Sequence, residues 1–102
     1  MKVLVAVNPI AGGGAASRGA ARLARILRGR GHAVESFSTR SPEEAGEWVR
    51  TREAEGDLDR IVVAGGDGTV NEVVNALEDP SRIPLAHLAY GTANMLAREL
   101  RI

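Results

Sequence analysis

The sequence predicts an α/β domain with an open parallel sheet of about four strands and helices on both faces. Apolar runs alternate with segments of helical periodicity, in the order βαβαβαβα. Such alternation is typical of parallel strands joined by right-handed crossovers. Glycines follow the first, third and fourth predicted strands, at the sheet edge where ligands of open α/β sheets bind. We therefore expect one domain spanning residues 1–102.

The first predicted unit is a strand over residues 3–7, a continuous apolar run suited to burial on both faces. Asn8-Pro9 ends this strand, and a glycine-rich loop follows over residues 10–16. A helix is expected over residues 17–28. Its apolar stripe has the i, i+3, i+4, i+7 spacing of a buried helix face, and consists of Ala20, Leu23, Ala24 and Leu27.

The second unit has a strand over residues 32–39 and a helix that begins near Pro42. Ser41 has the character of an N-cap, Pro42 suits the first helical position, and Glu44 completes the spacing of a capping box. Trp48 falls on the expected buried stripe of this helix. We therefore predict a helix whose first free N–H groups are hydrogen-bonded by its own capping residues.

The remaining units begin with strands over residues 60–64 and 83–90. The third strand leads into the glycine turn, our name for residues 65–69, and then into a helix that ends near Leu77. The fourth leads into Gly91-Thr92 and a last helix. The two histidines, His32 and His87, have no second ligand nearby in sequence, so we expect both to be structural.

Composition excludes several classes of function. The 13 basic residues balance the 13 acidic residues, so no global charge recruits nucleic acid or an anionic membrane. The chain has no cysteine, which excludes disulfides and thiolate metal sites and fits a cytoplasmic protein. No apolar run approaches the roughly 18 residues of a membrane span, so we expect any membrane contact to be peripheral.

A short repeat suggests where a ligand binds. Residues 68–71, Gly-Thr-Val-Asn, match residues 91–94, Gly-Thr-Ala-Asn, in the next strand–turn–helix unit. Two helix starts at one sheet edge would present free backbone amides and partial positive charge to an anion. The alternative is that Thr69 and Thr92 are N-caps, since Thr69 and Glu72 have capping-box spacing. Both roles are compatible.

The glycine turn has three glycines in four positions, which allow close approach of the backbone to a phosphate. It lacks the Lys-Ser/Thr of a Walker A loop and the third glycine of a dinucleotide fingerprint. Asp67 is unexpected there, because a carboxylate repels phosphate unless it works with Mg²⁺ or as a base. The alternative is a turn residue chosen for its backbone preferences.

Residues 65–75, Gly-Gly-Asp-Gly-Thr-Val-Asn-Glu-Val-Val-Asn, resemble the signature of the diacylglycerol kinase catalytic domain. That family is related to sphingosine kinases, NAD kinases and phosphofructokinases. Asn8-Pro9 with the following glycines resembles the family's opening motif, and residues 91–100 resemble its third motif. The resemblance implies a Rossmann-like fold similar to the N-terminal domain of NAD kinases.

The resemblance also implies a reaction, in which ATP with Mg²⁺ donates a phosphoryl group to a lipid with a free hydroxyl. Asp67 is the implied catalytic residue, which positions or deprotonates that hydroxyl or holds Mg²⁺ through water. No metal ligand is implied with certainty within this chain. The implied nucleotide-binding residues are Asn8, Thr39, Gly65, Gly66, Asp67, Gly68, Thr69, Val70, Asn71 and Thr92.

Family members continue into a β-rich second domain, whereas this chain stops at Ile102. We therefore expect a nucleotide-binding fragment that is inactive alone. Two alternatives stay open at this point. One is a kinase of the same superfamily with a soluble substrate such as NAD. The other is a non-catalytic fragment that binds nucleotide weakly or self-associates through an exposed sheet edge.

Overall fold

The computed structural model describes residues 1–88. The end of the fourth predicted strand, the Gly91-Thr92 turn and the last predicted helix lie outside these residues. A 3₁₀ turn at Ala11–Gly14 precedes the first helix. The other elements, in chain order, are β1 (Lys2–Val7), α1 (Ala15–Gly29), β2 (Ala33–Ser38), α2 (Pro42–Ala54), β3 (Arg60–Ala64), α3 (Asp67–Ala76) and β4 (Leu85–Leu88).

The four strands form one parallel sheet in the order β2-β1-β3-β4. Leu4 of β1 pairs with Glu35 of β2 on one side and with Ile61 of β3 on the other. Strand β2 therefore lies outside β1, and β4 lies outside β3 on the other side of the sheet. The point between β1 and β3 is the topological switch point at which open α/β sheets bind ligands.

Helices cover both faces of the sheet, as the sequence predicts. Alternate residues of a strand point to opposite faces, so Val5 and Val62 pack under α1 whereas Ala6 and Val63 pack under α2 and α3. The residues of β1 from Val3 to Val7 are all buried. Burial on both faces explains why this strand is a continuous apolar run instead of an alternating one.

The start of α1 differs from the prediction. Residues 11–14 form a 3₁₀ turn where the sequence suggested a loop, and α1 begins at Ala15, two residues earlier than expected. Gly13 and Gly14 adopt positive φ angles of 64° and 95°, which glycine tolerates without steric penalty. The predicted apolar stripe of α1 is buried, from Ala20 to Leu27.

The start of α2 confirms most of the prediction. Ser41 is the N-cap, and its Oγ accepts a hydrogen bond of 3.2 Å from the Glu44 N–H. The Glu44 carboxylate accepts from the N–H of Arg40, at 3.1 Å, one residue before the position that a regular capping box uses. Trp48 is half-buried and stacks on Phe37 of β2, with ring centroids 5.0 Å apart.

The edge strand β2 is fixed by charges as well as by packing. Glu35 pairs with Lys2, at 3.5 Å, and with Arg52. Desolvation lowers the pKa of Arg52, but hydrogen bonds to Glu35 and Glu55 outweigh it, so this pKa lies above its ordinary value. On the other face, the Arg28 guanidinium donates to the Val34 carbonyl at 2.9 Å.

Close packing between α2 and α3 holds α3 in place. A side chain at Gly46 of α2 would bring a Cβ within 3.1 Å of the Glu72 carbonyl of α3. Glycine at this position therefore lets the two helices approach each other, and α3 in turn carries the glycine turn at its start. Within residues 1–88, no helix has the length and apolar character needed to cross a bilayer.

Candidate active site at the switch point

The three residues that follow β1, β2 and β3 lie side by side at the carboxyl edge of the sheet. The Asn8 N–H donates to the Ala64 carbonyl at 2.8 Å, and the Thr39 N–H donates to the Val7 carbonyl at 2.7 Å. These two bonds extend the sheet pairing one residue past the strands. They place Asn8 between Thr39 and Gly65, which agrees with the sequence-based grouping of these residues.

The glycine turn leaves backbone donors open. Gly66 is extended, with φ −89° and ψ 178°, and is the N-cap of α3 without a side-chain hydrogen bond. Its carbonyl accepts from the N–H groups of Thr69 and Val70, at 3.2 and 3.3 Å. Among residues 1–88, the amides of Gly66, Asp67 and Gly68 have no acceptor. Free amides at a helix start attract an anion, as does the helix dipole.

The alternative in which Thr69 caps this helix is wrong. The helix begins at Asp67, so Thr69 is its third residue and is only 2% exposed. The Gly66 carbonyl closes the first turn by itself, which starts the helix before a threonine cap is needed. The capping box with Glu72 is excluded for the same reason. Its predicted counterpart, Thr92, lies outside the described residues.

Gly65 is tightly enclosed, unlike the other two glycines of the turn. A Cβ at Gly65 would lie 3.1 Å from the Asn8 Cβ and 3.5 Å from the Thr69 Oγ1. Among residues 1–88, a Cβ at Gly66 or at Gly68 would meet nothing within 4 Å. Gly65 therefore brings Asn8 and Thr69 together, whereas Gly66 and Gly68 keep the space before the free amides open.

Asp67 is exposed and is the first residue of α3. Its carboxylate makes no hydrogen bond or ion pair with any residue of the described part of the chain. A negative charge at this helix end is favourable because of the helix dipole, so the residue also stabilises α3. The carboxylate is free to meet a metal ion or a hydroxyl group.

Val70 and Asn71 lie apart from the row that Asn8 and Gly65 form. They line an open pocket of about 540 Å³ along α3, together with Asp67, Gly68 and Val74. Val74 is 37% exposed. Asp67 and Gly68 therefore join two surfaces, the amide-lined crevice at the switch point and an apolar stripe on α3.

Residues 2–102 match the family of the diacylglycerol kinase catalytic domain. The chain belongs to this family. The match includes Asn8, the glycine turn and the third motif with Thr92. The family assignment confirms the resemblance that the sequence motifs indicated, and the parallel sheet with helices on both faces agrees with it.

The names of individual relatives agree with this family assignment. A Staphylococcus epidermidis protein named "Diacylglycerol kinase" is 44% identical over 52 residues, 50% of this chain and 16% of that protein. A Streptococcus pneumoniae protein named "Putative lipid kinase" is 32% identical over 102 residues, 99% of this chain and 34% of that protein. The chain thus spans about a third or less of these curated relatives.

A solved structure shows the same fold. The crystal structure of a diacylglycerol kinase from Bacillus anthracis aligns with a TM-score of 0.68 and 32% sequence identity. The alignment covers 99% of this chain and 37% of that structure.

Two features of the chain were not evident from its sequence. Asn8 shapes its own loop, because its Oδ1 accepts from the Ile10 N–H at 3.3 Å and its carbonyl accepts from the Ala11 N–H at 3.2 Å. His87 of β4, expected to be only structural, donates a hydrogen bond from Nε2 to the Gly65 carbonyl. A polar residue in an otherwise apolar strand was the signal available for the second contact.

Proposed function

We propose that this chain is the ATP-binding domain of a diacylglycerol-kinase-like lipid kinase, which transfers the γ-phosphoryl group of ATP to a lipid hydroxyl. The observation that carries the proposal is the start of α3, where the amides of Gly66, Asp67 and Gly68 are free among residues 1–88. Phosphoryl transfer depends mostly on positioning and on neutralisation of charge. Backbone donors beside a free carboxylate suit both needs.

The phosphates of ATP bind at the glycine turn in this proposal. The free amides donate to phosphate oxygens, and the hydroxyl of Thr69, a residue that is only 2% exposed, adds one more donor. Asn8 and Thr39 extend the site along the carboxyl edge of the sheet. Thr92 contributes to the same site by family resemblance, and Val70 and Asn71 border it through Asp67 and Gly68.

Asp67 acts on the reacting groups, either through Mg²⁺ or on the acceptor hydroxyl. Within residues 1–88, no three acidic or histidine side chains are grouped to hold a metal ion. Mg²⁺ is nevertheless often held by one or two carboxylates together with substrate phosphates, and the free Asp67 carboxylate fits that arrangement. When bound, Mg²⁺ neutralises charge on the phosphates.

The lipid acceptor is proposed to bind largely through protein beyond these 102 residues, since the chain spans 34% of one lipid kinase relative and 37% of one diacylglycerol kinase structure. The protein is proposed to be cytoplasmic. Access to a lipid acceptor would then require peripheral contact with a membrane. The 102 residues alone are expected to bind ATP without phosphorylating lipid.

The decisive experiment compares two acceptors. The full-length protein that contains this chain is incubated with radiolabelled ATP, Mg²⁺ and either diacylglycerol in mixed micelles or NAD. Label in the lipid fraction alone supports the proposal, whereas label in NAD alone would replace it with a kinase for a soluble substrate. An ATP titration of the 102-residue chain tests the nucleotide site separately.

Self-association through an exposed sheet edge is a second proposal, and at the outer edge of β2 the structure of residues 1–88 favours it less. No strand of these residues pairs with the outer edge of β2. The Arg28 guanidinium, however, already takes the Val34 carbonyl, and charged side chains of this kind block strand addition. Sedimentation of the 102-residue chain separates monomer from dimer.

A further inference from the structure

We propose that His87 is a positioning residue for the phosphate-binding amides of the glycine turn. The inference rests on the proposed function, because it explains how those amides are held in place for a phosphate. It starts from one contact, in which the Nε2 of His87 on β4 donates a hydrogen bond to the carbonyl of Gly65. A carbonyl oxygen only accepts, so Nε2 carries the proton.

The register of the sheet explains how this contact is possible. His87 pairs with Val63, and Leu88 pairs with Ala64. Neighbouring residues in register point to the same face of a sheet, and Val63 belongs to the face covered by α2 and α3. The imidazole ring therefore lies on the face from which α3 begins, and it reaches along the sheet to the first residue of the glycine turn.

The planar peptide bond carries the effect of this contact across the turn. In a trans peptide, the carbonyl of one residue and the N–H of the next point in opposite directions. His87 holds the Gly65 carbonyl toward β4. The Gly66 N–H must then point to the other side, toward β1 and Asn8. This is the side on which the switch point lies, and the amide has no acceptor within residues 1–88.

Glycine makes such a restraint necessary. Within the described residues 1–88, Gly66 has no side-chain cap, and a Cβ added to it would have no neighbour within 4 Å. A glycine peptide also rotates more freely than any other. Gly65 is fixed on its other side by packing against Asn8 and Thr69. The histidine supplies the remaining restraint, a hydrogen bond from a ring with few rotatable bonds.

The test compares three variants of the full-length protein. His87→Leu removes the donor, whereas His87→Gln keeps an N–H group that can reach the same carbonyl. His32→Leu is the matched control, because His32 lies at the opposite, amino-terminal edge of the sheet, where its Nδ1 is 3.2 Å from the terminal amino group. Two quantities are measured: the Kd for ATP with Mg²⁺, and the exchange rates of the Thr69 and Val70 amides, which bond to the Gly66 carbonyl.

We expect His87→Leu to weaken ATP binding about threefold to tenfold, the range for loss of one hydrogen bond, and to speed exchange at Thr69 and Val70. His87→Gln restores both, and His32→Leu changes neither. Unchanged exchange in His87→Leu would overturn the proposal, as would faster exchange throughout the sheet or no rescue by glutamine. If the wild-type protein binds no ATP, both the proposed function and the positioning role fail. The exchange rates of Thr69 and Val70 then show separately whether His87 restrains the glycine turn.

Discussion

Helices α2 and α3 begin at the same edge of the sheet but differ in how the free amides of their first turns are hydrogen-bonded. The start of α2 is satisfied internally, because the Ser41 Oγ accepts from the Glu44 N–H and two glutamates lie in the first turn. The start of α3 has a glycine N-cap without a side-chain hydrogen bond. Three of its amides have no acceptor in the described part of the chain.

The capped start of α2 contributes to stability, whereas the uncapped start of α3 is available for the proposed function. A side-chain cap contributes about 1 kcal/mol of stability, and acidic residues in the first turn favour the helix while repelling anions. Both helices have an acidic residue in the first turn, but only α2 has the side-chain cap, which occupies one of its amides. Helix α3 lacks the cap, which leaves its amides available to a ligand. The four predictions below test this contrast, beginning with the largest expected effect.

Asp67→Asn in the full-length protein is expected to lower turnover about a hundredfold or more, the range for a group that acts in proton transfer. The Kd for ATP should change little, because the free amides remain. Steady-state kinetics and ATP titration measure the two effects. The matched control is Asp57→Asn, an exposed residue in the loop before β3. Equal losses of turnover and ATP affinity would argue against a catalytic role.

Gly65→Ala is expected to destabilise the chain by about 1–3 kcal/mol, as for other overpacked sites. The new Cβ would press on the Asn8 Cβ, 3.1 Å away, and would push the two sides of the crevice apart. Chemical denaturation measures the loss, and ATP titration should show weaker binding. Gly29→Ala, with no neighbour within 4 Å of its Cβ, serves as the control. Equal stability of both variants would contradict the packing argument.

Ser41→Ala is expected to lower the free energy of unfolding by about 1 kcal/mol, since the Glu44 N–H loses its acceptor. The Kd for ATP should stay at the wild-type value, because the start of α2 takes no part in the proposed site. Denaturation and ATP titration of the same preparation give both numbers. Weaker ATP binding in this variant would mean that the two helix starts are not functionally distinct.

Gly66→Ser gives α3 the kind of cap that α2 has. The extended backbone of Gly66 suits an N-cap, and a Cβ there meets no atom of residues 1–88 within 4 Å. Serine in place of glycine at an N-cap should raise stability by only a few tenths of a kcal/mol. ATP binding should weaken several-fold, since the new hydroxyl occupies one of the amides. Unchanged ATP affinity would show that phosphate does not use them.

The sequence predicted the strands and the start of α2 well, for identifiable reasons. Strand β3 matches residues 60–64 because an apolar run ends there at two glycines. The start of α2 matches because Ser41 and Pro42 are signals of local structure. Local signals of this kind act through neighbouring residues alone, so they are visible without a fold.

The N-cap of α3 was wrongly read as Thr69, and the contact of His87 with Gly65 was not foreseen. Thr69 has the spacing of a cap, but the Gly66 carbonyl closes the turn first. The contact between His87 and Gly65 requires the register of β3 and β4, which no periodicity encodes. The location of the site at the carboxyl ends of the strands was predicted from the alternation of strands and helices, whereas the close packing of Asn8, Gly65 and Thr69 was not.

The strand order also constrains how the protein is made. Strand β1 pairs with β2 on one side and with β3 on the other, so a ribosome-bound chain that has reached only α2 has one open side on its most apolar strand. Proteins fold from the N-terminus as they are synthesised, and such an open side invites aggregation. Asn8 and Gly65 come into contact only when β3 arrives and closes that side. Under the proposed function, nucleotide therefore binds only to chains in which β3 has already joined the sheet.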